Sequence, residues 1–113
     1  NQLIESDIKR LKKYSSLTGD LKIAFQLVNA GWLQHGIFID EGDNIYHDGD
    51  IHCFKRRCRI SCFDLSPAKG ARLIYAIVKK EVYAPILVFM ANEEDKYTLV
   101  VYKRMIKERI RSL

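Results

Sequence analysis

At 113 residues the chain is sized for a single domain spanning 1–113, with one core and no room for two. A net charge of +5 and a pI near 9.2 favour acidic partners: RNA, DNA or an acidic protein. Hydrophobic residues make up 48%, which excludes a largely disordered chain, and no apolar run approaches the ~20 residues that span a bilayer, so a membrane partner is not expected.

Leu3 to about Tyr14 reads as a helix, with Ile4, Ile8 and Leu11 as its apolar stripe and Lys9, Arg10, Lys12 and Lys13 as a solvated basic face. Ser15 to Asp20 is a turn with helix-start chemistry, in which Ser16 or Thr18 is placed to cap. A second helix is expected over Asp20–Ala30, because Leu21, Ala24, Phe25 and Val28 recur at helical spacing and Gly31 is a natural stop. The two form an antiparallel hairpin whose apolar faces need a sheet to cover.

Trp32 to Asp50 reads as mostly irregular. Ile37–Ile39 is a short strand or a loop anchor, His35 is a turn residue, and 40–43 and 47–50 are acidic turns around Ile45 and Tyr46. The ordered ligands of a calcium loop are absent.

The basic strand, His52 to Cys62, alternates. Phe54, Arg56, Cys58 and Ile60 point one way, and Lys55, Arg57, Arg59 and Ser61 the other. Phe63–Lys69 is a loop. Arg72–Val78 is a nearly unbroken apolar strand carrying one charge, Arg72, close behind Gly70; buried there, it needs an anion or a carboxylate beside it. Lys79–Glu81 is a polar hairpin turn, and Val82–Met90 is a third strand in which Pro85 marks a bulge or an edge. After a polar break at Ala91–Lys96, a helix is expected over Tyr97–Arg111, with Tyr102, Ile106, Ile110 and Leu113 inward. The fold class is α+β: a helical hairpin on a small antiparallel sheet of three to four strands, with a C-terminal helix. The helices are expected to cover one face of the sheet and leave the other partly open.

Cys53, Cys58 and Cys62 are an odd-numbered cluster without zinc-knuckle spacing. They read as small reduced thiols in a cytoplasmic protein, with no metal and no cofactor, and no secretory leader is visible.

The aromatic-Lys-x-Arg pattern of Phe54-Lys55-Arg56-Arg57, followed by the Gly-x-Arg-x-x-Tyr pattern of Gly70-Ala71-Arg72-Leu73-Ile74-Tyr75, resembles the RelE/ParE superfamily of toxins from type II toxin–antitoxin systems. The resemblance runs from Ile4 to Leu113. It implies a metal-independent, ribosome-associated mRNA endoribonuclease that inhibits translation and is held in a hetero-oligomer by a cognate antitoxin. By position it implies Lys55 and Arg57 as the basic strand residues, Arg72 as the phosphate-stabilising arginine and Tyr102 as a helix tyrosine; the basic strand itself adds Arg59 as a further RNA contact. Nuclease members carry an arginine after the last strand; here 91–96 is acidic, and Lys96 is the nearby cation. The family also opens with a strand before the first helix, where this sequence has Asn1-Gln2-Leu3, and the loop before Arg72 is longer. The alternative is a ParE-like or catalytically inactive module that binds protein, gyrase or the antitoxin. Cleavage requires cations from neighbouring strands to converge on one concave spot, with Arg72 facing Lys55 and Arg57 and not locked to a carboxylate.

Overall fold

The computed structural model describes residues 3–35, 43–78 and 82–111. Its α+β order is α1 (Glu5–Arg10), α2 (Leu17–His35), β1 (Asp43–Asp48), β2 (Ile51–Cys58), β3 (Ala71–Val78), β4 (Val82–Met90) and α3 (Leu99–Ile110), with 3-10 turns at Ser61–Phe63 and Ala91–Glu93. The four strands form one antiparallel meander in the order β1-β2-β3-β4. Ile37–Ile39, Asp40–Gly42 and Lys79–Glu81 lie outside the described residues.

The first helix is shorter than its apolar stripe suggests. Buried positions continue past it as Leu11, Tyr14 and Leu17, a spacing of three, and the backbone tightens to match: Tyr14 N–H donates to Leu11 O and Leu17 N–H to Tyr14 O, each at 3.0 Å. The second helix begins at Leu17 and runs through Gly31 to His35, so Gly31 is not its stop and His35 is not a turn residue. One interior glycine costs a helix only about 1 kcal/mol, and Trp32 keeps the four-residue step from Val28.

The stretch read as irregular contains β1, an edge strand with a bulge at Ile45, which pairs with β2. The turn between them is tight: Asp48 faces Ile51, and Gly49 supplies the positive φ (58°) that the reversal requires. β2 ends at Cys58, short of the expected Cys62, because Ile60 and Leu65 pair with each other (3.0 and 2.9 Å) and close a separate small loop. Gly70 is required by close approach: a Cβ there would lie 2.1 Å from the Cys58 carbonyl oxygen. In β4 the register shifts beside Pro85, which pairs with Tyr75 while Leu87 pairs with Ile74.

The sheet is covered on both faces, a correction to the open face expected from the sequence. Leu73, Tyr75, Cys58 and Val88 join Ile4, Leu11, Leu17 and Leu21 in one core. Cys53, Ile74, Ala76, Leu87 and Phe89 join Tyr102, Ile106 and Ile110 of α3 in a second, so the single core expected from the chain's length is divided in two by the sheet. β3 and β4 are apolar at consecutive positions, so both of their faces need a layer of helix. Among the described residues no helix is long and apolar enough to cross a membrane.

β4 is an edge strand whose outward groups are held by side chains. Asp7 Oδ2 accepts from Val88 N–H (3.1 Å), Arg10 donates to Val88 O (3.2 Å), Arg109 to Ile86 O (2.8 Å), and Glu93 Oε1 accepts from Met90 N–H (2.9 Å). Asp7 is buried and grips Arg109 through both carboxylate oxygens, at 2.5 and 3.1 Å, while Arg10 is paired with Glu93. An exposed strand edge invites pairing with another chain, and this one is closed by α1, α3 and the turn after β4.

Candidate nucleic-acid interface

Antiparallel pairing brings the end of β2, the start of β3 and the end of β4 together, with Cys58 opposite Ala71 and Ala71 opposite Met90. The expected alternation along β2 holds through Cys58: Phe54 and Cys58 pack toward α1 and α2, while Lys55 and Arg57 take the α3 face. Arg57 stands directly opposite Arg72, so Lys55, Arg57 and Arg72 share one face of neighbouring strands.

Arg72, however, is locked inside. It is 3% exposed, and its guanidinium donates to Glu94 Oε1 (Nε, 2.5 Å), to Pro67 O and Ala71 O (Nη1, 2.8 and 3.3 Å) and to Ala68 O (Nη2, 2.9 Å). All three of its nitrogens are engaged. The phosphate-stabilising role expected of Arg72 is therefore corrected: it ties the loop before β3 to the turn after β4. Its carboxylate partner, Glu94, lies in the acidic 91–96 segment after β4.

Other cations remain at the surface. Arg57 is exposed and Lys55 half-buried. Arg59 lies beyond the strand and pairs at 3.0 Å with Asp64, both well exposed, an arrangement that contributes little. With Arg56, which the alternation assigned to the covered face, Arg57 and Arg59 line a cavity of about 230 Å³, floored by Ile23, Ala24 and Pro67. β1 pairs with β2 only as far as Lys55, so among the described residues no strand covers Arg56–Cys58 on the outer side. The cavity wraps that uncovered edge, which is why residues of opposite faces meet in it.

Asp20 also lines this cavity. Burial, the largest single influence, raises its carboxyl. Hydrogen bonds from the Ser16 hydroxyl (2.6 Å) and from the Ser61 backbone and hydroxyl (3.0 and 2.9 Å), with the Arg59 charge, outweigh burial and hold it below its ordinary value. Ser16, just before α2, in turn accepts from Cys62 N–H at 2.9 Å. The 3-10 turn is thus fastened to the start of α2.

Lys96 is exposed on the far side of the same sheet end, in a cavity of about 340 Å³ shared with Arg10, Lys13, Tyr14 and Glu93. Tyr102 is buried in the second core. An apolar cavity of about 290 Å³ lies between α1, α2 and Pro85.

The cysteines divide by position. Cys53 and Cys58 are buried, and burial pushes the Cys53 thiol up to about 11. Cys62 is exposed on the 3-10 turn and not on a strand face with Cys58; hydrogen bonding to Ser16 lowers its thiol. Among the described residues no group of three or more histidine, cysteine or carboxylate side chains is arranged to hold a metal.

The Asp7–Arg109 pair escaped sequence reasoning. The available signal was that Asp7 falls on the apolar stripe of α1, three residues after Ile4 and four before Leu11. Comparison with protein-family models, with curated proteins and with solved structures finds no match.

Proposed function

We propose that this chain is the toxin of a type II toxin–antitoxin pair, of the RelE/ParE kind, and that it acts on mRNA in the ribosome. The observation that carries this is the arginine-lined cavity at the end of β2, where Arg56, Arg57 and Arg59 converge on a strand that the sheet holds in place. Guanidinium groups suit phosphate because their donors match its oxygens in pairs. Cleavage without a metal has the 2′-hydroxyl attack the adjacent phosphate as the 5′-oxygen leaves, and it needs positive charge where the phosphorane forms. Arg72 does not meet the condition set for cleavage, since Glu94 locks it inside, so what the arginine cavity supports is RNA binding, and any cleavage falls to Arg57 and Lys55 alone. The partner is an antitoxin whose acidic segment covers the arginine cavity and competes with RNA.

A second function, protein binding without cleavage, is favoured by one specific observation: the saturation of Arg72 by Glu94 and three backbone carbonyls. The two are separated by adding the purified protein to translating ribosomes and mapping mRNA ends. Cleavage at the A site that Lys55→Ala or Arg57→Ala lowers at least tenfold, with melting unchanged, supports the nuclease. Intact mRNA, with growth inhibition that survives both substitutions, assigns the chain to protein binding. Co-purification with a small acidic protein encoded beside it tests the antitoxin.

A further inference from the structure

Phe63 is 54% exposed, at the apex of the small loop between β2 and β3. Single exposed apolar residues are common on proteins, and exposure alone carries nothing. This one is held in place. Ile60 and Leu65 close the loop in both directions, Asp64 turns it through a left-handed backbone (φ 50°), and Ser61 and Cys62 are bonded to Asp20 and Ser16 of the helical layer. The ring meets Tyr14 edge-on, with centroids 5.4 Å apart and planes at 80°, and more than half of it is left to solvent.

Cations lie beside the ring's neighbours. Arg59 pairs with the exposed Asp64, next to Phe63 in the chain, and its charge also bears on Asp20. Lys13 sits over the ring of Tyr14, which Phe63 meets, 5.1 Å from its centroid. Both cationic cavities, that of Arg57 and Arg59 and that of Lys13 and Lys96, open at this end of the sheet. An exposed aromatic ring with positive charges nearby, on a rigid mount, is the arrangement that takes an unpaired base and its neighbouring phosphates.

We infer that Phe63 is a base-stacking platform for single-stranded RNA, whose backbone passes from Arg57 and Arg59 on one side to Lys13 on the other. The inference rests on the RNA-directed function proposed above and deepens it by naming the strandedness of the ligand and its path. A duplex hides its base faces, so the platform selects single strands. The fixed loop means that little order has to be imposed on binding.

The test is fluorescence anisotropy of a labelled single-stranded oligoadenylate, titrated over a range of salt, with the full chain. Phe63→Ala is expected to weaken binding about five- to a hundredfold while leaving the slope of log K against log salt unchanged, and Phe63→Trp to restore it. Lys13→Ala and Arg59→Ala are each expected to flatten that slope by about 0.7. Wild-type affinity in Phe63→Ala overturns the inference, as does equal affinity for the same sequence in a duplex. If Phe63→Ala binds normally while Arg57→Ala does not bind, stacking fails and the RNA-directed function stands. If the protein takes polyglutamate and no RNA, both fail. Thermal melting of Phe63→Ala and Phe63→Trp at the wild-type temperature excludes unfolding as the cause.

Discussion

Arg72 and Arg57 face each other across two strands, yet they predict opposite phenotypes. Arg72 is buried among carbonyls and Glu94, so Arg72→Ala removes four hydrogen bonds and should cost about 3 kcal/mol in urea denaturation. Arg57 is exposed, so Arg57→Ala should stay within about 0.5 kcal/mol of wild type and show its effect only in RNA binding. Loss of function in Arg72→Ala therefore reports folding, and Arg57→Ala is the informative variant. Asp20 adds a dependence on pH. Its folded carboxyl lies below the ordinary value of 3.8, so its contribution to stability is complete above that value and is lost as pH falls through the lower one. Asp20→Asn should be less stable than wild type at neutral pH, and the gap in melting temperature should narrow in acid below about pH 4. That Arg72 needs a partner was legible from a lone charge in an apolar strand. The choice of Glu94 over the nearer Asp64 was not, because it depends on how the turn after β4 folds back, with Ala91 N–H donating to Gly70 O at 2.8 Å.

The elements that the sequence placed well are those whose pattern their own neighbours decide. β3, β4 and α3 were read almost to the residue, since their apolar runs and the Tyr102, Ile106, Ile110 stripe are unambiguous. β1 was missed because it is short, acidic at both ends and paired on one side only, so few of its residues are apolar. Of the tight Leu11–Leu17 connection, the part to Tyr14 was read as more helix, because a spacing of three looks helical until burial is seen, and the rest as a turn. Closure of the β4 edge by Asp7 and Arg10 lies in contacts 78 to 102 residues apart, beyond any local pattern. It is also testable. Asp7→Ala should cost about 3–5 kcal/mol, since it leaves Arg109 half-buried and unpaired. In a double-mutant cycle, Asp7→Ala with Arg109→Ala should cost less than the sum of the single changes, by about 0.5–3 kcal/mol. An additive result would mean that the two side chains do not act as a unit.

Across the whole molecule, positive charge gathers where three strand ends meet two helix ends, and the acidic turn of Asp48 and Asp50 lies at the other end of the sheet. Net charge and the basic strand foretold a cationic surface. They placed it on the basic strand; its gathering at the end of β2 follows, among the described residues, from β1 pairing no farther than Lys55 and from helices occupying both sheet faces. The grip of Asp7 on Arg109 has a further consequence during synthesis. Asp7 leaves the ribosome 102 residues ahead of its guanidinium partner. Until then the last strand has an open flank and a carboxylate with no counter-charge, so the nascent polypeptide cannot settle into its final form. Completion waits for α3 to emerge and join α1 across the outermost strand.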